Sequence, residues 1–148
     1  FSRGSQRNII EINKNNFSLK ILPLICYEII YSGNLFSNPD FDLIINISED
    51  GWFGKSLGPK QHFVHSVFRA IESGKYVIRS SNNGTAGIIN PLGFIEKRVN
   101  FGESGYIDLK AMRKIQPTIF SLYGNKIFLL VILLYIVMIF LIKKTKHE

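Results

Sequence analysis

The sequence predicts an α/β domain followed by a single transmembrane helix. Short, apolar, β-branched segments separated by turn residues run through most of the chain, which is typical of buried strands. Between residues 59 and 73 the apolar side chains instead recur every three or four positions, as on one face of a helix packed on a sheet. Residues 127–142 are apolar throughout and carry no charge, which is typical of a membrane span.

Six strands and one helix are expected in the body of the chain. The strands are expected at residues 19–26, 42–47, 76–80, 86–89, 94–99 and 105–109. The first two are strongly apolar, so we expect them side by side in the interior of the sheet. The turn Asn90-Pro91-Leu92-Gly93 predicts a hairpin. Pro59 suits the first turn of the helix, and Gly74 suits its C′ position.

The sequence has material for one domain and one appendage, because a body of about 115–120 residues can bury a modest core. The expected divisions are a domain at 1–109, a linker at 110–125, a transmembrane helix at 126–142 and a cytoplasmic tail at 143–148. The first residue is Phe1, and Met112 and Met138 follow the motifs described below. We therefore expect a chain truncated or processed at its N-terminus.

The terminal apolar run would form a helix of about 24 Å, slightly shorter than a hydrocarbon core of about 30 Å. Because Lys126 can extend to the interface and Tyr123 can sit there, the span is expected to begin near these residues. The alternative is a buried core helix. That alternative explains neither an apolar surface on every face nor the lysines that follow at once.

Lys and Arg outnumber Asp and Glu by 18 to 11, and the net charge of +7 suits an anionic partner. Basic residues in the body are scattered, without the aromatic platforms or basic helix of nucleic-acid binders, so no nucleic-acid partner is expected. Lys143, Lys144 and Lys146 follow the apolar run and favour a membrane flank. The positive-inside rule then places the C-terminus in the cytoplasm and the body on the outer side.

Cys26 is the single cysteine, so no internal disulfide can form. It ends an apolar strand, where a thiol would face the cleft beyond the sheet and could exchange acyl groups through a thioester. The alternative is a small core residue. Glu28 would lie beside the thiol in an extended strand unless the chain bends at Cys26. A carboxylate alone would raise the thiol pKa, so activation would require a nearby cation or a base.

Five motifs occur in one order along the chain. They are residues 23–28 (PLICYE), 46–54 (NISEDGWFG), 58–62 (GPKQH), 69–72 (RAIE) and 79–84 (RSSNNG). In order and spacing they resemble the nitrilase-type domain of apolipoprotein N-acyltransferases, a branch of the carbon–nitrogen hydrolase superfamily. The resemblance covers residues 23–109, and the terminal helix resembles the last transmembrane segment of that family. A generic carbon–nitrogen hydrolase is not expected to end in a membrane span.

The resemblance implies a partial nitrilase-like αββα sandwich and ping-pong acyl transfer in the bacterial inner membrane, with the domain in the periplasm. Cys26 would accept a fatty acyl group from a phospholipid and pass it to the N-terminal diacylglyceryl-cysteine of an apolipoprotein, without a cofactor. In the family triad of Glu, Lys and Cys, the backbone N–H after the nucleophile, here that of Tyr27, helps to hold the oxyanion.

The triad Glu and Lys belong to family segments upstream of this stretch, and neither Glu11 nor Lys20 lies in such a motif. The resemblance therefore implies a C-terminal fragment that is inactive alone. A separate N-terminal half is a possible partner. The alternatives are a non-catalytic, membrane-anchored remnant of a split gene and a membrane-anchored amidase of the same superfamily. Reading the DNA immediately upstream would separate a working enzyme from a remnant.

Other matched positions carry two interpretations each. Glu28 either tunes the site or bonds to the scaffold. Trp52 and Phe53 either line the lipid-binding cleft or pack in the core. Glu49-Asp50-Gly51 departs from the Asn-Asp-Ala common in the family, adding a carboxylate and flexibility.

Two further features have a favoured interpretation. His62 and His65 share a helix face, but no third ligand has metal-site spacing, so packing or capping is favoured over a metal. Asn82, Asn83 and Gly84 form an expected turn that supports the cleft, with Gly84 a candidate for positive φ.

Overall fold

The computed structural model describes residues 8–15, 17–33, 40–113 and 115–145. Within these residues, six strands form one sheet in the order of the chain. The strands are β1 (Ile10–Lys14), β2 (Phe17–Ile25), β3 (Leu43–Glu49), β4 (Tyr76–Asn82), β5 (Ala86–Ile89) and β6 (Ile95–Val99). The helices are α1 (Gly58–Ser73), α2 (Ile119–Tyr123) and α3 (Lys126–Thr145), and two 3₁₀ turns cover Cys26–Ile30 and Gly51–Phe53.

The strands β2, β3 and β4 are parallel, and antiparallel strands flank them on both sides. Their register places Leu24 beside Asn46 and Asn46 beside Arg79. Because parallel strands end at the same edge of a sheet, the residues that follow β2, β3 and β4 are brought together. The sequence prediction that the first two apolar strands are neighbours is confirmed.

The helix α1 packs on one face of the sheet. Side chains of the parallel strands, among them Leu24, Ile44 and Val77, are fully buried against Phe63 and Ala70 of this helix. Each such burial stabilises the fold by about 1.5–3 kcal/mol. The helix ends as its sequence predicts, with Gly74 in the left-handed region at φ 67°.

The opposite face of the sheet is covered only in part. Leu43, Tyr76 and Ile88 are buried under an extended segment that contributes Ile107 and Met112. Nearer the carboxyl edge, two isoleucines on β2 and β3 are exposed, Ile25 at 69% and Ile47 at 61%. The described residues thus supply one helix layer and one sheet of a nitrilase-like α/β fold.

Two strand predictions differ from the structure. The predicted strand at 105–109 is wrong, because this segment covers the sheet with side chains such as Ile107 and Leu109 and forms no strand. The strand β1 was not predicted. Ile10 and Ile12 alternate with polar residues, but this alternation is at the short end of a strand signal, and the strand is exposed along its whole length.

The segment at 110–125, expected to be a linker, contains the short helix α2. Thr118 caps α2 by accepting a hydrogen bond from the Ser121 N–H at 3.0 Å, and its own hydroxyl donates to the Glu72 carbonyl of α1. This segment therefore packs against the domain before the chain enters α3. The domain boundaries stay a prediction.

The helix α3 is the one helix of the described chain that is long and apolar enough to cross a membrane. At 1.5 Å per residue, its 20 residues extend about 30 Å, which matches a hydrocarbon core. It begins at Lys126, as predicted. Residues 146–148 of the predicted cytoplasmic tail, including Lys146, and residues 1–7 of the predicted domain lie outside the described residues.

Candidate active site

The candidate site lies where the parallel strands end. The strand β2 stops at Ile25, one residue earlier than predicted, and Cys26 begins a 3₁₀ turn. Cys26 is half-buried and has φ of 50°, in the left-handed region that L-residues rarely adopt. The thiol is therefore presented at a sharp bend and not along the strand.

The bend changes the expected relation between Glu28 and the thiol. The two side chains would share a face only in an extended strand. Instead, the Glu28 Oε2 atom accepts a hydrogen bond from the Ile25 N–H at 2.8 Å, which ties the turn to the end of β2. Glu28 thus bonds to the scaffold, which is one of the two roles that the sequence left open for it. Its other role, tuning the thiol, stays a prediction.

A cluster of buried polar side chains lies beneath Cys26. Its members are Asn46 and Ser48 on β3, Asp50 after β3, His62 on α1 and Arg79 on β4. We call these five residues the buried polar cluster. Positions 46 and 48 of β3 point toward α1, because side chains two residues apart in a strand share a face. This cluster was not predicted from the sequence, although the polar residues at every second position of 46–50 were a signal for it.

Asp50 is the centre of the buried polar cluster and is itself fully buried. The Arg79 Nη2 atom lies 2.9 and 2.8 Å from its two carboxylate oxygens, the His62 Nδ1 atom lies 2.9 Å from Oδ1, and the Ser48 hydroxyl donates to Oδ1 at 2.9 Å. Burial raises the pKa of this carboxyl, but its bonds to His62, Arg79 and Ser48 and the Arg79 charge outweigh burial and lower the pKa to about 2. Asp50 is therefore ionised at neutral pH.

The buried polar cluster reaches Cys26 at two atoms. The Ser48 Oγ atom lies 3.8 Å from the Cys26 sulfur. The Cys26 carbonyl oxygen accepts from Asn46 Nδ2 at 3.2 Å, and His62 Nε2 lies 3.3 Å from the same oxygen. Among the described residues, neither a lysine nor a histidine is within hydrogen-bonding distance of the sulfur itself.

Trp52 and Phe53, for which the sequence left a lipid-binding cleft and core packing both open, have different surroundings. Trp52 is 88% exposed, so it does not pack in the core of the described chain. The Phe53 ring lies 6.3 Å from that of Tyr27 and 5.7 Å from that of His62, measured between centroids. A Cβ atom at Gly58 would overlap the Phe53 ring. Glycine at this position therefore lets Phe53 lie beside the 3₁₀ turn Cys26–Ile30, which we call the thiol-bearing turn.

The loop after β4 closes over Asp50. The prediction of positive φ at Gly84 is wrong, because the left-handed residue is its neighbour Asn83, with φ of 51°. Asparagine adopts this conformation more readily than most residues. Gly84 is instead required by space, because a Cβ atom there would overlap the Asp50 carboxylate.

Glu49, which departs from the family pattern, fastens this loop. Its carboxylate accepts hydrogen bonds from the Gly51 N–H at 2.6 Å and from the Asn82 and Asn83 side chains at 2.5 and 3.1 Å. The bond from Asn83, followed by the one from Gly51, lowers the pKa of Glu49. The added carboxylate therefore cross-links two loops at the carboxyl edge of the sheet.

The two histidines of α1 line one small cavity but differ in burial, since His62 is buried and His65 is half-buried. His62 belongs to the buried polar cluster, whereas the His65 ring lies 6.4 Å from that of Phe68. Burial is the main cause that lowers the pKa of His65. In the part of the chain that the structure describes, no three His, Cys, Asp or Glu side chains form a group that could hold a metal ion.

Comparison with known families identifies the domain. The family model described as carbon–nitrogen hydrolase matches residues 2–114. The chain belongs to the carbon–nitrogen hydrolase family. Among solved structures, this chain resembles Nit3 of Saccharomyces cerevisiae, a member of branch 10 of the nitrilase superfamily. The match has a TM-score of 0.56 at 21% identity and covers 70% of this chain and 40% of Nit3, so it supports the fold alone.

Curated relatives of this chain are named apolipoprotein N-acyltransferase. The protein of that name from Rickettsia bellii is 42% identical over 132 residues, and the one from Rickettsia prowazekii is 45% identical over 128 residues. These matches cover 88% and 85% of this chain but 26% of each relative. The chain thus spans about a quarter of the length of these relatives.

Proposed function

We propose that this chain supplies the nucleophile of an apolipoprotein N-acyltransferase, which transfers a fatty acyl group from a phospholipid to the N-terminal diacylglyceryl-cysteine of an apolipoprotein. The observation that carries the proposal is the Cys26 thiol, held at a sharp bend where the parallel strands end. Similarity to proteins named for this reaction supports the choice of substrates.

The reaction would proceed in two balanced steps. The Cys26 thiolate attacks the ester carbonyl carbon of the phospholipid, the C–S bond forms, and the ester C–O bond breaks as the lysophospholipid leaves with a proton. The α-amino group of the acceptor then attacks the thioester. A C–N bond forms, the C–S bond breaks, and the amine gives up a proton as the thiol is restored.

Four neighbouring groups have proposed roles. The Tyr27 N–H donates to the oxyanion that forms in each step. Glu28 supports the turn that bears the thiol, through its bond to the Ile25 N–H. Phe53 and the exposed Trp52 contact the acyl chain, because aromatic side chains suit the boundary between lipid and water.

The general base and the oxyanion lysine would come from sequence outside these 148 residues, either joined upstream or on a separate N-terminal half. The chain alone is therefore expected to be inactive. We place the enzyme in the bacterial inner membrane, with α3 as its last span, the domain in the periplasm and the C-terminus in the cytoplasm. Lys143 and the lysines after it support this orientation.

The test uses the full-length protein, meaning these residues joined to the sequence encoded upstream. Incubation with a phospholipid labelled in its acyl chain should label the protein, and neutral hydroxylamine should release the label, as it does from a thioester. Cys26→Ala should acquire no label and transfer no acyl group, and Cys26→Ser should transfer poorly because a hydroxyl is far less acidic than a thiol.

Three outcomes would contradict the proposal. If Cys26→Ala acquires as much label as the parent protein, Cys26 is a core residue and not the nucleophile. Release of ammonia from simple amides, without labelling by phospholipid, would favour the membrane-anchored amidase. A folded full-length protein that is inactive in both assays would favour the remnant. A circular dichroism spectrum of Cys26→Ala that matches the parent controls for misfolding.

A further inference from the structure

We propose that the buried polar cluster orients the peptide group between Cys26 and Tyr27, so that the Tyr27 N–H faces the reacting carbonyl group. In this proposal Asp50, His62 and Arg79 are positioning residues, which act on the chemistry through Cys26. The inference rests on the function proposed above and adds residues that the reaction would require beyond the nucleophile and its immediate neighbours.

Burying the charges of Asp50 and Arg79 is costly. The side chains of Asp50 and Arg79 are fully buried, and their ion pair has N–O distances of 2.8 and 2.9 Å. A buried ion pair adds little or nothing to stability compared with a well-packed apolar pair. The ion pair lies directly beneath the thiol-bearing turn, where the sheet otherwise packs apolar side chains against α1. This position is better explained by the groups that the ion pair holds in place.

A chain of polar contacts leads from Asp50 to Cys26. The Asp50 Oδ1 atom fixes the His62 ring through Nδ1, which turns Nε2 toward the Cys26 carbonyl oxygen. A carbonyl oxygen can only accept, so in this contact Nε2 carries a proton and donates, while Nδ1 lies between the Asp50 carboxylate and Arg79 Nη2, which is 3.2 Å away. Arg79 also contacts Asn46, whose Nδ2 atom donates to the same carbonyl oxygen. Two side chains anchored to one ion pair thus hold one oxygen atom.

The geometry of the peptide bond links the Cys26 carbonyl to the direction of the Tyr27 N–H. The Cys26 carbonyl and the Tyr27 N–H belong to one planar, trans unit, in which C=O and N–H point in opposite directions. When Asn46 and His62 hold the oxygen inside the protein, the N–H must point outward. The left-handed conformation of Cys26 costs about 1–2 kcal/mol for an L-residue, and the bonds to its carbonyl offset this cost.

The deciding experiment compares two substitutions of His62 in the full-length enzyme. His62→Leu keeps the bulk of the ring but removes the donor to the Cys26 carbonyl. His62→Gln keeps an amide that can donate. Losing one oxyanion donor lowers kcat by about 10²–10³-fold. Because Asn46 still bonds to the Cys26 carbonyl oxygen, we expect His62→Leu to reach only the lower end of this range, with kcat for thioester formation lowered by about 100-fold and an unchanged KM for phospholipid. His62→Gln should recover much of the loss.

Alkylation of Cys26 by iodoacetamide separates positioning from general damage, because this reaction needs no oxyanion donor. His62→Leu should change the alkylation rate by less than about threefold while acylation falls about 100-fold. Equal loss of both rates, or acylation at the parental rate, would overturn the inference while the proposed function stands. If the parent enzyme forms no thioester from phospholipid, the proposed function itself fails.

A glycine pair tests the same inference without changing a polar group. A Cβ atom in Gly84→Ala would overlap the Asp50 carboxylate, whereas one in Gly105→Ala would lie 3.5 Å from Val99, in ordinary contact. Gly84→Ala should lower kcat at least tenfold, and Gly105→Ala should leave it unchanged. If His62→Leu does not fold, the two glycine variants test the inference in its place. Equal kcat values for these two variants would overturn it.

Discussion

Asp50 is the residue on which the local electrostatics depend. The titratable and charged groups that face it are His62 from α1, Arg79 from β4 and the neighbouring carboxylate of Glu49. Its pKa of about 2, against an ordinary value of 3.8, means that folding favours the ionised form by about 2 kcal/mol. Because the folded-state pKa is lowered, this stabilisation is complete above about pH 4 and is lost as the pH falls toward 2.

We predict that Asp50→Asn destabilises the full-length protein at neutral pH and weakens its response to acid. The substitution leaves Arg79 buried without its partner, which typically costs about 3–5 kcal/mol. Chemical unfolding followed by circular dichroism between pH 2 and pH 7 measures both effects. The matched control is Asp108→Asn, which changes an exposed carboxylate. Equal acid dependence in Asp50→Asn and the parent would contradict the assigned pKa.

At the scale of elements, the last turn of α1 is a junction, because it bonds both to the chain around the thiol-bearing turn and to the start of α2. The Arg69 guanidinium donates to the Ile30 carbonyl at 3.2 Å and pairs with Glu72 at 2.7 Å. The Ser32 hydroxyl donates to the same Glu72 carboxylate at 2.8 Å. The thiol-bearing turn is therefore fixed at its far end by α1, and Thr118 connects this junction to α2.

The glycine that ends α1 is expected to be required for this junction. Gly74 has φ of 67°, and a Cβ atom there would lie 3.2 Å from the Gln116 carbonyl oxygen. Gly74→Ala should therefore destabilise the domain by about 1–2 kcal/mol. Gly74→Asn should cost less, because asparagine tolerates the left-handed region. Thermal unfolding of the two variants measures the difference, and equal losses would contradict a conformational cause.

Elements with their own local pattern were predictable from the sequence. The helix α1 has apolar residues at three- and four-residue spacing and a terminal glycine, so its position was predicted almost to the residue. The buried polar cluster was not predictable in the same way. His62 and Arg79 lie 17 positions apart and meet Asp50 only because the register of the sheet and the packing of α1 bring them together.

At the scale of the whole molecule, the two faces of the sheet differ in how they are covered. Packing with α1 buries one face, whereas Ile25 and Ile47 on the other face remain exposed near the carboxyl edge. Exposed apolar side chains that cluster on a sheet typically mark a surface that another part of the protein covers. In a nitrilase-like sandwich, a second sheet would cover it.

We predict that Ile47→Asp destabilises the full-length protein by at least about 2 kcal/mol, because a buried, unpaired charge is costly. Ile47→Val is the matched control and should lose about 1 kcal/mol or less. Unfolding in detergent by chemical denaturant measures both variants. A neutral effect of Ile47→Asp would mean that this face stays open to solvent in the full-length protein.

The left-handed backbone of Cys26 indicates that stability alone does not determine which residue stands at this position. Folding alone would favour glycine here, because glycine adopts positive φ without strain, and we expect Cys26→Gly to be more stable than Cys26→Ala by about 1 kcal/mol. A library randomised at position 26 and sorted for protease resistance should therefore enrich glycine. The same library sorted for acyl transfer should return cysteine. Under the function proposed for Cys26, stability and activity therefore favour different residues at this position.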